Sequence, residues 1–184
     1  MPLRLHARKG DPVIHIGVDP GITGAIVIYD SEKDLILHWT EMPSMQVGSS
    51  SRVNGAALTD FLEENIRTEC VHAYVELVGA MPGQGVVSMF NFGCSFGVPL
   101  GVLAAMRIPY TLVTPQSWKR RASLMGKDKD VARSRAIQLW PSWRALSQKG
   151  TGQALADAAL IARFGPEFST HPPKQVTKRR RIAT

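Results

Sequence analysis

The stretch Ile14-His15-Ile16-Gly17-Val18-Asp19-Pro20-Gly21-Ile22-Thr23-Gly24-Ala25-Ile26-Val27-Ile28 decides the fold. It reads as an apolar strand ending in an aspartate, a tight turn, and a second apolar strand. Alternation puts Val13, His15, Gly17 and Asp19 on one face and Ile14, Ile16 and Val18 on the other. Pro20-Gly21 is a strong turn signal, and Gly24 lets the return strand begin close by. A carboxylate at a strand end, on a face kept open by Gly17, suits a divalent metal. An Asp that merely solvates its loop is an equally good reading of D-P-G alone.

Other carboxylates tip that balance. Val71-His72-Ala73-Tyr74-Val75-Glu76-Leu77-Val78 is a predicted strand with Val71, Ala73, Val75 and Leu77 on its buried face and Glu76 on the opposite one. The third acid, Asp157, lies in Gly152-Gln153-Ala154-Leu155-Ala156-Asp157-Ala158-Ala159-Leu160-Ile161-Ala162-Arg163-Phe164-Gly165, a helix with a glycine stop. Near the helix N-terminus the dipole favours a negative charge, so Asp157 alone would be a dipole partner. Together with Asp19 and Glu76 it reads as a metal ligand. Three hard oxygen donors without a thiolate or imidazole set select Mg²⁺, with Mn²⁺ able to substitute, over zinc.

These residues carry a resemblance. D-P-G-x-x-G-A at Asp19, Glu76 at the end of a later strand and Asp157 in A-D-A-A-L-I-A resemble RuvC-type Holliday junction resolvases, of the RNase H-like superfamily of metal-dependent nucleases. Met81-Pro82-Gly83-Gln84-Gly85-Val86-Val87-Ser88-Met89-Phe90-Asn91-Phe92-Gly93 and Thr114-Pro115-Gln116-Ser117-Trp118-Lys119 resemble its phage-like branch. The likeness runs from about residue 13 to 165, in the right order. It implies an α/β fold, an RNase H-like mixed five-stranded sheet flanked by helices. It also implies structure-selective, metal-dependent cutting of four-way DNA junctions, by a homodimer. Asp19, Glu76 and Asp157 would then hold the ions and Lys129 would stabilise the phosphate, with Lys127 close behind as a match. Met81 or Gln84, in the glycine-rich loop after Glu76, would wedge against bases near the junction centre; a merely flexible connection reads as well. One family feature is missing. A further acid usually precedes the last aspartate by about one turn, where this chain has Gln153 and Ala154.

The charge pattern points to a polyanion. Residues 11–106 hold three basic residues against eleven acids, whereas residues 107–165 hold eleven basic residues against Asp128, Asp130 and Asp157. An electropositive face built from the C-terminal third fits phosphate binding; ordinary solvated helices are the plainer alternative. Lys119, Arg120, Arg121, Lys127, Lys129, Arg133 and Arg135 are the expected phosphate contacts, setting orientation rather than sequence. Cys70 and Cys94 have no metal-ligand spacing and suit a reducing cytosol. No secretory leader is read at the N-terminus, and no apolar run is expected to reach the roughly 20 residues of a membrane span. The expectation is a cytoplasmic protein with branched DNA and a second copy of itself as partners, and no membrane.

One nuclease domain over residues 11–165 is expected, with a basic, disordered tail over 166–184. Within the domain the pattern predicts strands at 13–19, 24–30, 34–41, 71–77 and 110–113. Helices are predicted at 54–67, 86–106, 115–124, 128–140 and 152–164. Pro43–Ser51 is Ser/Gly-rich and reads as a mobile loop. On helix 86–106, Met89, Phe92, Phe96, Leu100 and Leu103 form a stripe suited to packing on the sheet. Gly93, Gly97 and Gly101 would serve either approach of a second helix or helix–sheet packing, and Pro99 would weaken or kink the centre. Three competing functions share these features: a non-catalytic junction-binding protein on the same scaffold, another RNase H-like nuclease, and a sugar-kinase-like phosphate binder. The last lacks its second phosphate turn.

Overall fold

The computed structural model describes residues 13–67, 70–79, 83–126, 130–148 and 150–168. Its strands are β1 (Ile14–Asp19), β2 (Ala25–Asp30), β3 (Leu35–Glu41), β4 (Ser44–Val47), β5 (Ser50–Val53), β6 (Val71–Glu76) and β7 (Tyr110–Val113). Its helices are α1 (Gly55–Asn65), α2 (Val86–Ala105), α3 (Pro115–Arg121), α4 (Asp130–Leu139) and α5 (Thr151–Phe164). A five-stranded sheet has the order β3-β2-β1-β6-β7. β1, β2 and β3 form an antiparallel meander, while β6 and β7 run parallel to β1. The mixed sheet flanked by helices is the architecture expected from the sequence, and each expected element is found with ends shifted by three residues or fewer.

Local chemistry explains the boundaries. Asn54 caps α1 by accepting from the Ala57 amide at 3.2 Å, and Thr114 caps α3 ahead of Pro115. The β1–β2 turn needs its glycine, because a Cβ on Gly24 would fall 2.1 Å from the Asp19 carbonyl oxygen.

Both sheet faces are covered, so β1 and β2 are buried almost throughout. One face, with Ile16, Val18, Ile28 and Val75, packs under α1 and α2. The other, with Ala25, Val27, Tyr29 and Tyr74, packs under α3, α4 and α5. α5 lies closest. A Cβ on Gly17 would sit 1.9 Å from the Ala158 carbonyl oxygen and 2.8 Å from the Ala162 amide nitrogen. Gly17 thus admits a helix backbone rather than opening the face for a metal.

Three expectations need correction. Residues 44–53 form a hairpin, not a mobile loop: Val47 pairs with Ser50 across a two-residue turn whose Gly48 has φ +61°. Leu77 lies just beyond β6 and is 39% exposed, because the strand ends at Glu76. An apolar run of spanning length does exist, since α2 has 20 residues of mean hydropathy 1.6. It connects the paired parallel strands β6 and β7, and Phe96, Leu100 and Leu103 pack on the sheet, so it acts as a crossover helix. The helix continues through Pro99.

The Gly17 contact makes a direct prediction. Gly17→Ala should lower unfolding free energy by about 2 kcal/mol or more in urea titration, because backbone atoms on both sides must part. A change within a few tenths of a kcal/mol would mean that α5 does not lie against β1.

Candidate active site

The sheet brings its acids into one row. Asp19 pairs with Ala25, and Ala25 pairs with Glu41. On the other side Val18 pairs with Val75, so Glu76 follows beside Asp19. Laterally paired residues point to the same face, here the α5 face to which Ala25 belongs. Asp157 reaches the same end of the sheet from α5, as the residue immediately before the Ala158 whose carbonyl rests on Gly17.

An open cavity of about 500 Å³ lies there, lined by Asp19, Asp157, Glu41, Thr151, Gln153 and Ala154 among others. Glu76 does not line it; its Oε1 accepts from the indole Nε1 of buried Trp118 at 2.9 Å. Asp157 Oδ1 accepts from Gln153 Nε2 at 3.0 Å. Thr151 Oγ1 donates to Glu41 Oε1 at 2.6 Å.

The electrostatics are those of acids crowded without a countercharge. Burial, then the Glu76 charge, lifts the Asp19 carboxyl to about 6, against the Gly21 amide and the Lys119 ammonium, which pull it down. Burial raises Asp157 to about 7; the Gln153 bond opposes this, while Asp19 and Glu76 add to it. The helix dipole does not prevail, because Asp157 is the seventh residue of α5 rather than a first-turn residue.

The donors suit a hard divalent cation in kind. All are oxygens, two carboxylates repel each other, and Gln153 Oε1 is buried with no hydrogen-bond partner among the described residues. They do not form a closed ligand sphere as placed: among the described residues, no three Asp, Glu, His or Cys side chains converge enough to hold one ion. Trp118 and Gln153 each hold one carboxylate by a hydrogen bond of its own.

Among the described residues expected to contact phosphate, Lys119 is the one whose charge bears on the acids. Its Nζ lies 5.2 Å over the Trp118 ring, and its charge acts on both Asp19 and Asp157. Arg120 and Arg121 are exposed on α3 and Arg133 is half-buried on α4. Arg135 Nη1 donates to Gln138 at 3.3 Å. Gln84 is exposed just before α2. Met81, Lys127, Lys129 and the 178–181 basic run lie outside the described residues. Sequence reasoning missed Glu41; the signal available was the meander itself, whose strand lengths set Glu41 across Ala25 from Asp19.

The sheet order, the crossover helix and the acid-bearing α5 define an RNase H-like fold of the RuvC type. The chain matches T. thermophilus RuvC in complex with Holliday junction substrate at a TM-score of 0.58 and 14% identity, covering 85% of this chain and 97% of that one. A second Thermus thermophilus RuvC structure gives 0.53 and 15%, covering 84% and 96%. In sequence, the chain is 29% identical over 121 residues to the chloroplastic Holliday junction resolvase MOC1 of Chlamydomonas reinhardtii. That match covers 64% of this chain and 14% of the algal protein. No family model matches. The resemblance to RuvC-type resolvases is borne out as a likeness of fold and, over 121 residues, of sequence.

The raised acids set a pH dependence. Each is neutral in the fold at a pH where the unfolded chain is already ionised, so their contribution is complete below about pH 4 and is lost as pH rises through 6 to 7. With a chelator present, the melting temperature of Asp157→Asn should exceed that of wild type at pH 8 and approach it at pH 5. A constant difference across that range would show that Asp157 is not held neutral by its surroundings.

Proposed function

We propose that this chain is a structure-selective DNA endonuclease that resolves four-way junctions by metal-dependent phosphodiester hydrolysis. The observation that carries this reading is the placement of Asp19, Glu76 and Asp157 at the same end of the sheet, on β1, β6 and α5. The solved relative in complex with a junction and the algal resolvase support the substrate class.

Asp19, Asp157 and Glu76 would hold Mg²⁺, or Mn²⁺ in its place. Divalent cations bound there supply activation of the attacking water and stabilisation of the leaving oxygen. The protein's own groups do the rest. The Trp118 indole orients Glu76, Gln153 orients Asp157, and Lys119 offsets negative charge beside the acids. Arg120, Arg121, Arg133 and Arg135 extend the basic surface over α3 and α4, where they would take backbone phosphates; Lys127, Lys129 and the tail would extend it further.

A homodimer matches the two-fold character of a junction, and α2 offers the surface for it. Val86, Val87 and Phe90 are 78%, 74% and 67% exposed. Gly93, Gly97 and Gly101 have open space where a Cβ would be, so they do not serve sheet packing and leave room for a second helix.

One observation favours a second reading. Ala154 occupies the place where the resemblance implies a further acid, as a binder that has lost cutting would show. A single comparison separates the two: a synthetic four-way junction, linear duplex and RNA/DNA hybrid, each with and without Mg²⁺ or Mn²⁺. Wild type should nick the junction at paired positions, and Asp19→Asn should bind it undiminished and cut at least 100-fold more slowly, roughly the loss of a group acting directly in the chemistry. Binding of the junction by both proteins with no cutting under any divalent ion would establish the second reading.

A further inference from the structure

We infer that the cleft between α3 and α4 is a discrete receptor for one backbone phosphate of DNA, with the Arg135 guanidinium and the Ser123 hydroxyl as its donors. The inference deepens the proposed function, on whose DNA-binding reading it rests, by separating one built site from the general basic surface.

An open cavity of about 230 Å³ lies in that cleft, lined by Ser123, Ser134, Arg135 and Gln138 together with three apolar residues. It has room for several waters, each taking about 30 Å³ in the liquid, or for a phosphate group in their place. It shares no lining residue with the cavity that holds Asp19 and Asp157. The phosphate it takes is therefore not the one beside the acids.

Arg135 lacks the partner that a half-buried guanidinium normally has. No acid lines the cavity, and Arg135 makes no ion pair among the described residues. Its Nη1 donates to Gln138 Oε1 at a long 3.3 Å, while its Nε is buried with no hydrogen-bond partner among the described residues. A buried N–H of a charged group left unpaired is costly, and a phosphate oxygen would satisfy it. The planar guanidinium also matches two phosphate oxygens at once.

Ser123 supplies an independent observation. It follows α3 with φ +63°. Its amide donates to the Arg120 carbonyl at 3.1 Å, and that of Leu124 to the Lys119 carbonyl at 2.7 Å. This is the helix-ending motif in which glycine is the usual residue, because a Cβ is disfavoured in that conformation. The chain keeps a serine there, and that serine lines the cavity. A hydroxyl is what glycine would lack.

Arg135 has a plainer role available, as one more charge on a solvated helix, paired with Gln138 one turn on. Lysine separates the two roles, since it keeps the charge and loses the planar pair of donors.

Binding of a labelled four-way junction to the full chain is measured at fixed salt in chelator, so that nothing is cut, with folding of each variant checked by circular dichroism. Arg135→Gln should weaken binding roughly tenfold or more, the scale of one hydrogen bond to a charged group, and Arg135→Lys roughly fivefold. Ser123→Gly should raise the melting temperature by about 2 °C and yet weaken binding about threefold. Junctions that each carry one uncharged methylphosphonate linkage then locate the phosphate. At one linkage wild type should lose roughly tenfold and Arg135→Gln less than about twofold, because the two changes remove the same contact. If no linkage behaves so, or if Arg135→Lys binds like wild type, the site is overturned. A Ser123→Gly variant that is stabler and binds like wild type overturns the role of its hydroxyl. The same scan on linear duplex isolates the underlying reading. If wild type binds the junction no more tightly than duplex, the junction reading fails, while a linkage-specific loss on duplex still upholds the phosphate site.

Discussion

The approach of α5 to β1 is the contact on which the rest depends. Gly17 lies directly beneath Ala158 and Ala162 with no room for a methyl group. The alanines of α5, Ala154 to Ala162, are buried and let the helix axis come down onto the sheet. Asp157 is carried with it to the end of β1, where Asp19 stands. A bulkier seam would hold the helix further out, and the two carboxylates would no longer feel each other. Small residues in this protein thus do electrostatic work at one remove, by setting how near two charges come.

That nearness is itself unfavourable. Burial and mutual repulsion lift both aspartates well above the ordinary carboxylate range, and among the described residues the Lys119 ammonium, the Gly21 amide and the Gln153 amide oppose it. A fold does not gather acids in a cleft for its own stability. The hydrogen bonds from Trp118 and Gln153 hold Glu76 and Asp157 in defined orientations, as groups supporting a metal-binding shell do.

Much of this was legible in the sequence because the signals were local. Strand alternation, the Pro20-Gly21 turn and the alanine-rich periodicity of α5 each lie within about fifteen residues, and the mixed five-stranded sheet followed from three strands preceding an alternation of helix and strand. What was not legible depended on register. Glu41 is 22 positions from Asp19 and gains meaning only when two antiparallel pairings are superimposed. The 44–53 hairpin was hidden by serines, which read as loop although Gly48 could supply a two-residue turn. The purpose of Gly17 was misjudged for the same reason: its partner, α5, is 141 positions away along the chain.

The central claim is that the acid row at the end of β1 is a divalent cation site. Anomalous diffraction from crystals containing Mn²⁺ tests it most directly. The account predicts Mn²⁺ peaks about 2.1 Å from carboxylate oxygens of Asp19 and Asp157, in the cavity between β1 and α5. Well-ordered Mn²⁺ bound only elsewhere, with both aspartates uncoordinated, would contradict it.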